Sequence, residues 1–330
     1  MESIQSFLNA TKLARKQSFK NLTLFPLLAP DGTKPDYLTL EQALDRGLVR
    51  ITEMDQAGSV PELRLLNKGE KKVLIVEGEE LVGAKQNRIV NATFLIAGKT
   101  EVIIPVSCVE QGRWHHDSDA FSSGDKMMHA SLRRNHQMDV KFSLKQGRGY
   151  RSNQGKIWED ISGKLDRMKV SAPTAARADA YDSYEGKLGD YLQSFGLIEW
   201  QTGALFAING QILGLECFGC SDTFSRFFNK LVKSYALDAL DNVAGPRKDE
   251  SVPPEKARRF IQSIVKSKKE SHPSIGLGQT VGFESRAVSG AALVEGDRVL
   301  HLSAFKKDQG TRSNHVNYQR FSKRQQYRIY

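Results

Sequence analysis

One stretch of the chain concentrates side chains that could bind or react with a polar ligand. Residues 78–119 read GEELVGAKQNRIVNATFLIAGKTEVIIPVSCVEQGRWHHDSD, with two strongly apolar runs. Around those runs lie carboxylates, cations, amides, a thiol and an indole: Glu79, Glu80, Lys85, Gln86, Asn87, Arg88, Cys108, Glu110, Gln111, Arg113 and Trp114. Polar side chains in a strand-rich region are either solvated on an outer face or drawn together at a site.

The acids around Gly78 cannot all be solvated if they lie in one strand. Neighbouring side chains of a strand alternate, so Glu79 and Glu80 face opposite ways unless a bulge intervenes. At least one carboxylate then points inward and needs a partner, and Lys85 and Arg88 follow closely in sequence. Two accounts stay open: a buried ion-pair network that holds a sheet corner, or a cleft that binds a phosphorylated ligand. In such a cleft the cations would bind the phosphate, and Glu79 or Glu80 would accept a hydrogen bond from a ribose hydroxyl.

The second apolar run ends in residues that could complete such a cleft. Trp114 offers a flat surface on which a base could stack, and Arg113 could make a bidentate phosphate contact. Packing at the end of a sheet is the other interpretation of Trp114. Cys108 as a nucleophile would need a base such as His115 within reach, whereas a buried cysteine commonly acts as a small hydrophobe.

We expect neither a metal site nor a cofactor. His115 and His116 are adjacent, and adjacent side chains on an extended chain point apart, so the two cannot easily ligate one ion. Cys217 and Cys220 have CxxC spacing, but the sequence supplies neither the further ligands of a zinc site nor the βαβ setting of a redox motif. They are interpreted as structural thiols. His301, in an apolar strand, is interpreted as a core histidine.

The composition is that of a globular protein. The 330 residues are 39% hydrophobic and 26% charged, and no run approaches the roughly 20 apolar residues of a membrane span. The N-terminus does not match a secretory signal. Three cysteines fit a reducing compartment, so we expect a cytoplasmic location. The signatures GxxxxGK[ST], GxGxxG after a strand, HExxH and GxSxG do not occur, which argues against the commonest nucleotide-phosphate, metalloprotease and hydrolase solutions.

The net charge of +10 is unevenly distributed. Residues 306–330 hold seven Lys or Arg against one acid, and residues 255–270 hold six against two. Such segments favour anionic partners, including RNA. The other account is a solvated helix face followed by a disordered tail.

The elements that must position these residues change along the chain. YLTLEQALDRGLV, 37–49, predicts a short helix capped by Thr39. Short Val- and Ile-rich segments over 48–114 predict antiparallel strands in a sandwich or a strongly bent sheet, with one strand passing through Gly78. Over 120–195, DKMMHASLRRNHQM and NQGKIWEDISGKLDRM predict helices, and RSNQGK and VSAPTAARADAY predict loops.

Strands return near residue 200. Asn209-Gly210 between two apolar runs predicts a hairpin, and the amphipathic segment 222–243 predicts a helix with Asp222 as its N-cap. A basic helix and a hairpin turning at residues 295–297 follow. This order predicts an α+β fold with an antiparallel β-rich core, a helical middle segment, and two later hairpins with packed helices. We expect those hairpins to complete a sheet begun in the first half.

With these residues in view, the chain resembles the family named for association with ADP-ribosylglycohydrolases (ARG) and the Rhodanese-Phosphatase superfamily. The resemblance is carried by DYLTLEQALDRGLVRITE, SVPELRLLN, VEGEELVGAKQNRIVNATFLI, IPVSCVEQGRW, ALFAINGQILGLECF, KLVKSYALDAL and SGAALVEGDRVLHLSAF. It implies an N-terminal extension over 1–23, one domain over 24–306 and a basic tail over 307–330. Within the domain we expect a strand-rich part at 48–114, a helical part at 120–195 and a hairpin-helix part at 200–306.

The resemblance also implies a link with NAD and ADP-ribose metabolism. We therefore expect a site for an ADP-ribose-like or other nucleotide-derived ligand, and whether the protein is an enzyme stays open. Glu79 and Glu80 are the candidates for hydrolytic or transfer chemistry. The expected ligand contacts are Lys85, Gln86, Asn87, Arg88, Cys108, Glu110, Gln111, Arg113 and Trp114. The alternatives are a non-catalytic RNA- or protein-interaction module that uses the basic helix and tail, and a scaffold in which the charged cluster only holds the sheet together.

Overall fold

A computed structural model describes residues 2–29, 34–54, 61–113, 118–243 and 252–307. The helices in these ranges are α1 Glu2–Ala10, α2 Leu40–Asp45, α3 Ala130–Lys145, α4 Gln154–Met168, α5 Arg177–Ser183, α6 Glu185–Ser194, α7 Ser221–Asp241 and α8 Pro254–Val265. The strands of the first half are β1 Lys12–Leu13, β2 Gln17–Phe19, β3 Leu22–Leu28, β4 Tyr37–Thr39, β5 Val49–Glu53, β6 Glu62–Asn67, β7 Lys72–Ile75, β8 Glu79–Val82, β9 Arg88–Val90, β10 Phe94–Ile96, β11 Thr100–Cys108 and β12 Ser122–Met127. Those of the second half are β13 Gly203–Ile208, β14 Gln211–Phe218, β15 Lys268–Pro273, β16 Gln279–Glu284, β17 Val288–Glu295 and β18 Arg298–Lys306.

The largest sheet joins the two ends of the chain. Its strand order is β1-β3-β13-β14-β18-β17-β16-β15, with β2 on β3, and every pairing is antiparallel. Both predicted hairpins are in it: β13 turns into β14 through Asn209 and Gly210, both at positive φ, and β17 turns into β18 around Gly296. The prediction that the later hairpins complete a sheet begun in the first half is confirmed. The predicted α+β class with an antiparallel β-rich core is confirmed as well.

The strand-rich part forms two smaller sheets, ordered β12-β8-β9-β11-β6-β5 and β10-β7-β4. The segment expected to run as one strand through Gly78 is two strands, β7 and β8, which belong to different sheets. Gly78 has φ +81°, and a Cβ there would lie 2.6 Å from Cδ of Arg133 on α3. The chain therefore changes sheet at the one residue type that fits both the conformation and the space.

The helical segment differs from expectation in two places. The residues expected to begin its first helix, 125–127, extend β12 instead, and α3 starts at Ala130. The segment VSAPTAARADAY, expected as a loop, ends in α5, whose Arg177 is buried in an ion pair with Glu80. β12 pairs with β8, and Arg177 of α5 pairs with Glu80 of β8; no local sequence pattern contains either contact.

The helix caps confirm one prediction and correct another. Thr39 caps α2, and Gln42 completes a reciprocal capping box. Helix α7 begins two residues earlier than predicted: its N-cap is Cys220, where the chain is still extended as it leaves β14, and Asp222 lies inside the first turn. An acid in that turn still interacts favourably with the helix dipole.

Helices cover both faces of the large sheet. On one face α7 packs with Phe206 and Phe218, and on the other α1 and α8 pack with Leu205. Consecutive β13 residues thus enter different cores, as strand alternation requires. Elements within the predicted extension 1–23 take part in this packing, because β2 pairs with β3 and α1 contacts α8. Of residues 307–330, all but the first lie outside the described residues, and none of the described helices could cross a membrane.

Candidate functional site

Six of the predicted ligand contacts lie together where β9 pairs with the end of β11. Cys108 is the register partner of Arg88. The side-chain oxygen of Gln86 accepts hydrogen bonds from Arg88 Nη1 at 2.9 Å and from Cys108 Sγ at 3.0 Å. Gln86 Nε2 donates to the backbone oxygen of Glu110 at 2.9 Å. We call Gln86, Asn87, Arg88, Cys108, Glu110 and Arg113 the KQNR network, after the sequence of residues 85–88; Lys85 itself is not a member.

Arg113 closes this network. Its Nε donates to Glu110 Oε2 at 2.7 Å, its Nη2 to Asn87 Oδ1 at 3.0 Å and its Nη1 to the Ala84 carbonyl at 3.2 Å. The backbone N–H of Asn87 and the Thr174 hydroxyl also donate to the Glu110 carboxylate. The charged groups of the network are therefore hydrogen-bonded to other groups of the same chain.

Burial sets the chemistry of this network. Arg88 and Cys108 are fully buried, and burial raises the pKa of the Cys108 thiol while it lowers the pKa of Arg88. A thiol that holds its proton this firmly is a poor nucleophile at neutral pH. Of the other predicted contacts, Lys85 is half-buried, Gln111 is exposed, and Trp114 lies outside the described residues together with His115 and His116.

Glu79 and Glu80 are held by different groups: Glu79 by a backbone N–H and Glu80 by an arginine. Oε2 of Glu79 accepts the Val76 N–H at 2.6 Å; burial raises the pKa of Glu79 to about 7, although the charge of Lys230 on α7 acts against this. Glu80 pairs with Arg177 on α5 at 2.6 Å, with both side chains buried. The two candidate catalytic carboxylates thus project to opposite sides of β8, as alternation predicts for adjacent residues.

A second polar centre lies between α3, the segment 77–93 and the strands of the C-terminal part of the chain. Glu77 follows β7, Thr93 precedes β10, Gln137 and Lys141 are one turn apart on α3, and His301 lies in β18. Together with Tyr150 they line a small cavity, here called the inner chamber, with room for about 30 Å³. A volume of this size holds one or two water molecules.

Two residues that line the inner chamber carry buried acceptor atoms without a hydrogen-bond partner among the described residues. Gln137 Nε2 donates to Glu77 Oε2 at 2.9 Å and to Ser303 Oγ at 2.8 Å, and Thr93 is hydrogen-bonded to His301 Nδ1 at 2.8 Å. Oε1 of Glu77 and Oε1 of Gln137 have no hydrogen-bond partner among the described residues. Burial raises the pKa of Glu77 to about 7, although Arg133 and Gln137 act to lower it.

The inner chamber adjoins a larger and more open space of about 340 Å³, here called the outer hollow. The two share Lys141, His272 and Gly282 as lining residues. Four lysines and two carboxylates line the outer hollow: Lys141, Lys145, Lys268, Lys307, Glu270 and Glu284. The local charge therefore favours an anionic ligand.

Three of these lysines form ion pairs with Glu284. Its oxygens lie 2.7 Å from Lys307 Nζ, 3.3 Å from Lys141 Nζ and 3.4 Å from Lys145 Nζ. Burial acts to raise the pKa of Glu284, but Lys307 and Lys141 lower it to about 2. Glu270 lies 3.9 Å from Lys145 as a second carboxylate, so two carboxylates face four ammonium groups and the cluster retains positive charge for a ligand.

Sequence reasoning missed this centre. Its signal was present in α3, where Arg133, His136, Gln137 and Lys141 are all on the buried face. Polar residues on the inward side of an amphipathic helix need partners inside the protein, and so indicate a buried polar network or a site. His301, interpreted as a core histidine, is buried and bonded to Thr93, and it also lines the inner chamber.

A family model for the ARG and Rhodanese-Phosphatase-superfamily-associated Protein domain matches residues 10–305. The chain belongs to this family. The predicted resemblance is thereby confirmed, and both the KQNR network and the two cavities lie within the matched range. No curated protein and no solved structure gives a significant match. The family name associates this ARG- and Rhodanese-Phosphatase-associated domain with two enzyme superfamilies and specifies neither a reaction nor a ligand.

Proposed function

We propose that this protein binds an ADP-ribose-like or other nucleotide-derived ligand, with the phosphates in the outer hollow. The observation that carries the proposal is the position of the lysine cluster beside a chamber with unpartnered acceptor oxygens. Lysine ammonium groups bind phosphate, and the Oε1 atoms of Glu77 and Gln137 are suited to accept hydrogen bonds from ribose hydroxyls. A ligand that carries both groups matches both parts of the cavity.

The sizes of the two spaces indicate how such a ligand would lie. The outer hollow is within the range of volumes found for small-molecule sites. The inner chamber has room for no more than a small group. The body of the ligand therefore occupies the outer hollow, and one polar end, such as a sugar hydroxyl or carbonyl, reaches the inner chamber.

The family association supports the ligand class. A domain associated by name with ADP-ribosylglycohydrolases fits a role in NAD or ADP-ribose metabolism, with hydrolase or transferase chemistry on the bound ligand. The setting we propose is the cytoplasm, since all three cysteines are free and buried.

The KQNR network is the competing location for the same ligand. Its residues, with Glu79 and Glu80 as catalytic groups, stay a prediction from the sequence. The hydrogen bonds that Arg113 and Arg88 make within the chain favour the outer hollow, because a ligand at the network would first have to displace them.

The test is ligand-dependent thermal unfolding with ADP-ribose, NAD and AMP. A ligand present at about 100 times its Kd stabilises the folded state by roughly 2.7 kcal/mol. We expect the double variant K145E/K268E to lose this stabilisation. The control K71E/K187E makes the same charge change at exposed lysines that line neither cavity, and should retain it. No stabilisation of the wild type by any of these ligands would end the proposal.

A second candidate function, nucleic-acid binding, is favoured by one observation. A groove of about 430 Å³ runs between α1 and α8 and is lined by Lys12, Arg258 and Gln262, with Arg259 exposed on the same helix. Binding of RNA here would weaken steeply with salt, and K12E/R258E would reduce both the affinity and the salt slope. A salt-independent affinity, or one unchanged in this variant, would reject it.

A further inference from the structure

Lys141 is one of three residues that line both cavities, together with His272 and Gly282. It lies on α3, lines both spaces and is 8% exposed. Its Nζ donates to the Ser289 hydroxyl at 2.5 Å and to the Phe283 carbonyl at 3.4 Å, and lies 3.3 Å from Glu284. Because the carboxylate of Glu284 is shared with Lys145 and Lys307, Lys141 does not have a counter-ion of its own.

Burial shifts this amine toward its neutral form. Burial lowers the pKa of Lys141 to about 8, although Glu284 acts to raise it. About a tenth of such an amine is neutral at pH 7, whereas an ordinary exposed lysine is neutral to less than about one part in a thousand. Neutral, partly desolvated lysines are the ones that attack carbonyl carbons in proteins.

We propose that Lys141 forms a Schiff base with the aldehyde carbon of a reducing sugar phosphate held in the outer hollow. The inference rests on the proposed function and names its substrate class: a ligand with a phosphate and a free ribose C1, such as ribose 5-phosphate or the free ribose end of ADP-ribose. The phosphate would contact Lys145, Lys268 and Lys307. The sugar hydroxyls would face Glu77 and Gln137 in the inner chamber.

The step balances without any further reactant. The Lys141 nitrogen donates its lone pair to C1 of the open-chain aldehyde, and the carbonyl π electrons move to oxygen, which takes up a proton to give a carbinolamine. The carbinolamine then loses its hydroxyl group and the remaining nitrogen proton as water, leaving a C=N bond. The Ser289 hydroxyl at 2.5 Å from Nζ is placed to carry protons between nitrogen and the departing oxygen. An amine and an aldehyde thus become an imine and one water.

The alternative is that Lys141 only ties α3 to β16 and β17 through Phe283, Glu284 and Ser289. A purely structural lysine holds its proton and does not react with sugars faster than its exposed neighbours do. The reaction rate of its amine therefore separates the two accounts, and folding stability does not.

The experiment treats the full chain with ribose 5-phosphate and sodium cyanoborohydride, which reduces an imine to a stable amine. Peptide mass spectrometry then locates the adduct. We expect labelling of Lys141 to be at least about tenfold faster than labelling of exposed Lys187, because far more of its amine is neutral. Excess inorganic phosphate should slow it, and ribose without phosphate should label it less. K141R should lose the adduct, and K187R, which changes an exposed lysine that lines neither cavity, should keep Lys141 reactive.

The controls separate this inference from the proposed function. NAD has no free ribose aldehyde, so it should stabilise the fold and leave no adduct. Labelling spread evenly over exposed lysines, together with stabilisation by ADP-ribose, would overturn the Schiff base and leave the ligand site standing. Absence of both would overturn both. Protection of wild-type Lys141 by phosphate is measurable even if K141R fails to fold.

Discussion

The KQNR network and the two-part cavity both combine cations, carboxylates and amides, and they differ in how completely these groups pair. In the network, Arg113 donates to three acceptors and Gln86 joins Arg88, Cys108 and Glu110. In the cavity, three lysines share Glu284, and Oε1 of Glu77 has no partner among the described residues. A paired cluster stabilises a fold, whereas unpaired polarity beside open space is available to a ligand.

The difference also explains why charge density along a sequence is a poor locator of sites. Residues 79–113 are dense in charge, and the members of the KQNR network pair within this stretch, whereas Glu80 pairs with Arg177. The cavity draws Lys141 from α3, Lys268 from β15 and Lys307 from beyond β18. These positions are more than a hundred residues apart at the extremes, so no window of sequence contains the site.

The largest expected effect on stability comes from breaking the buried ion pair between Glu80 and Arg177, on the strand that pairs with β9 of the KQNR network. E80Q leaves the buried Arg177 charge without its carboxylate, whose oxygen lies 2.6 Å away. Removal of one partner from a buried pair costs about 3 to 5 kcal/mol, so the free energy of unfolding measured in urea should fall by about that amount. The folded fraction should still be stabilised by ADP-ribose.

The matched control is E101Q, because Glu101 pairs with Arg64 at 3.0 Å on the exposed surface. An exposed pair contributes about 1 kcal/mol at most, so this variant should unfold nearly like the wild type. If E80Q retained full stability and lost ligand binding, Glu80 would belong to the ligand site and the comparison would reverse.

The second expected effect is a pH dependence of folding stability that comes from Glu77 in the inner chamber. Burial raises the pKa of Glu77 to about 7, so the folded state holds a proton that the unfolded chain has released. The stability from this proton is complete below about pH 4.5 and is lost as the pH rises through 7. At about 1.4 kcal/mol per pKa unit, the wild type should lose on the order of 2 to 3 kcal/mol relative to E77Q between pH 5 and 8.

Urea unfolding of both proteins at pH 5, 6, 7 and 8 measures this difference. Glu79 has a similarly raised pKa and remains in both proteins, so its effect cancels. A constant difference between E77Q and wild type across the range would show that Glu77 is already ionised in the folded protein at pH 5. The inner chamber would then hold a carboxylate at every pH tested.

Local patterns predicted those elements whose determinants are local. The turn at Asn209 and Gly210 depends on two residues that tolerate positive φ, and α2 depends on Thr39 and Gln42 three residues apart. The break at Gly78 depends on Arg133, which lies 55 residues later and fills the space a Cβ would need. The sequence could therefore predict an irregularity at Gly78 without predicting that the chain leaves one sheet for another there.

The same reasoning applies to the site. Alternation along β8 predicted that Glu79 and Glu80 face opposite ways, and their different partners, the Val76 N–H and Arg177, agree. Which of the nearby cations would meet them depended on the placement of helices that begin about a hundred residues later. Arg177 became the partner of Glu80, and Lys230 contributes only its charge to Glu79, while Arg88 donates to Gln86 within the network.

The smallest expected effect tests whether the network has any part in ligand binding. R113A removes donors from Glu110, Asn87 and Ala84 in a partly exposed setting, and hydrogen bonds to charged groups contribute about 1.5 to 3 kcal/mol when buried. We expect the free energy of unfolding measured in urea to fall by about 1 to 2 kcal/mol. The increase in melting temperature caused by ADP-ribose should be unchanged. Gln111, exposed two residues earlier, provides the control Q111A, which should alter neither quantity. If R113A abolished the ligand shift while it cost little stability, Arg113 would be a ligand contact. The network would then be a binding site whose internal hydrogen bonds exchange for ligand, and the outer hollow would be the structural cluster.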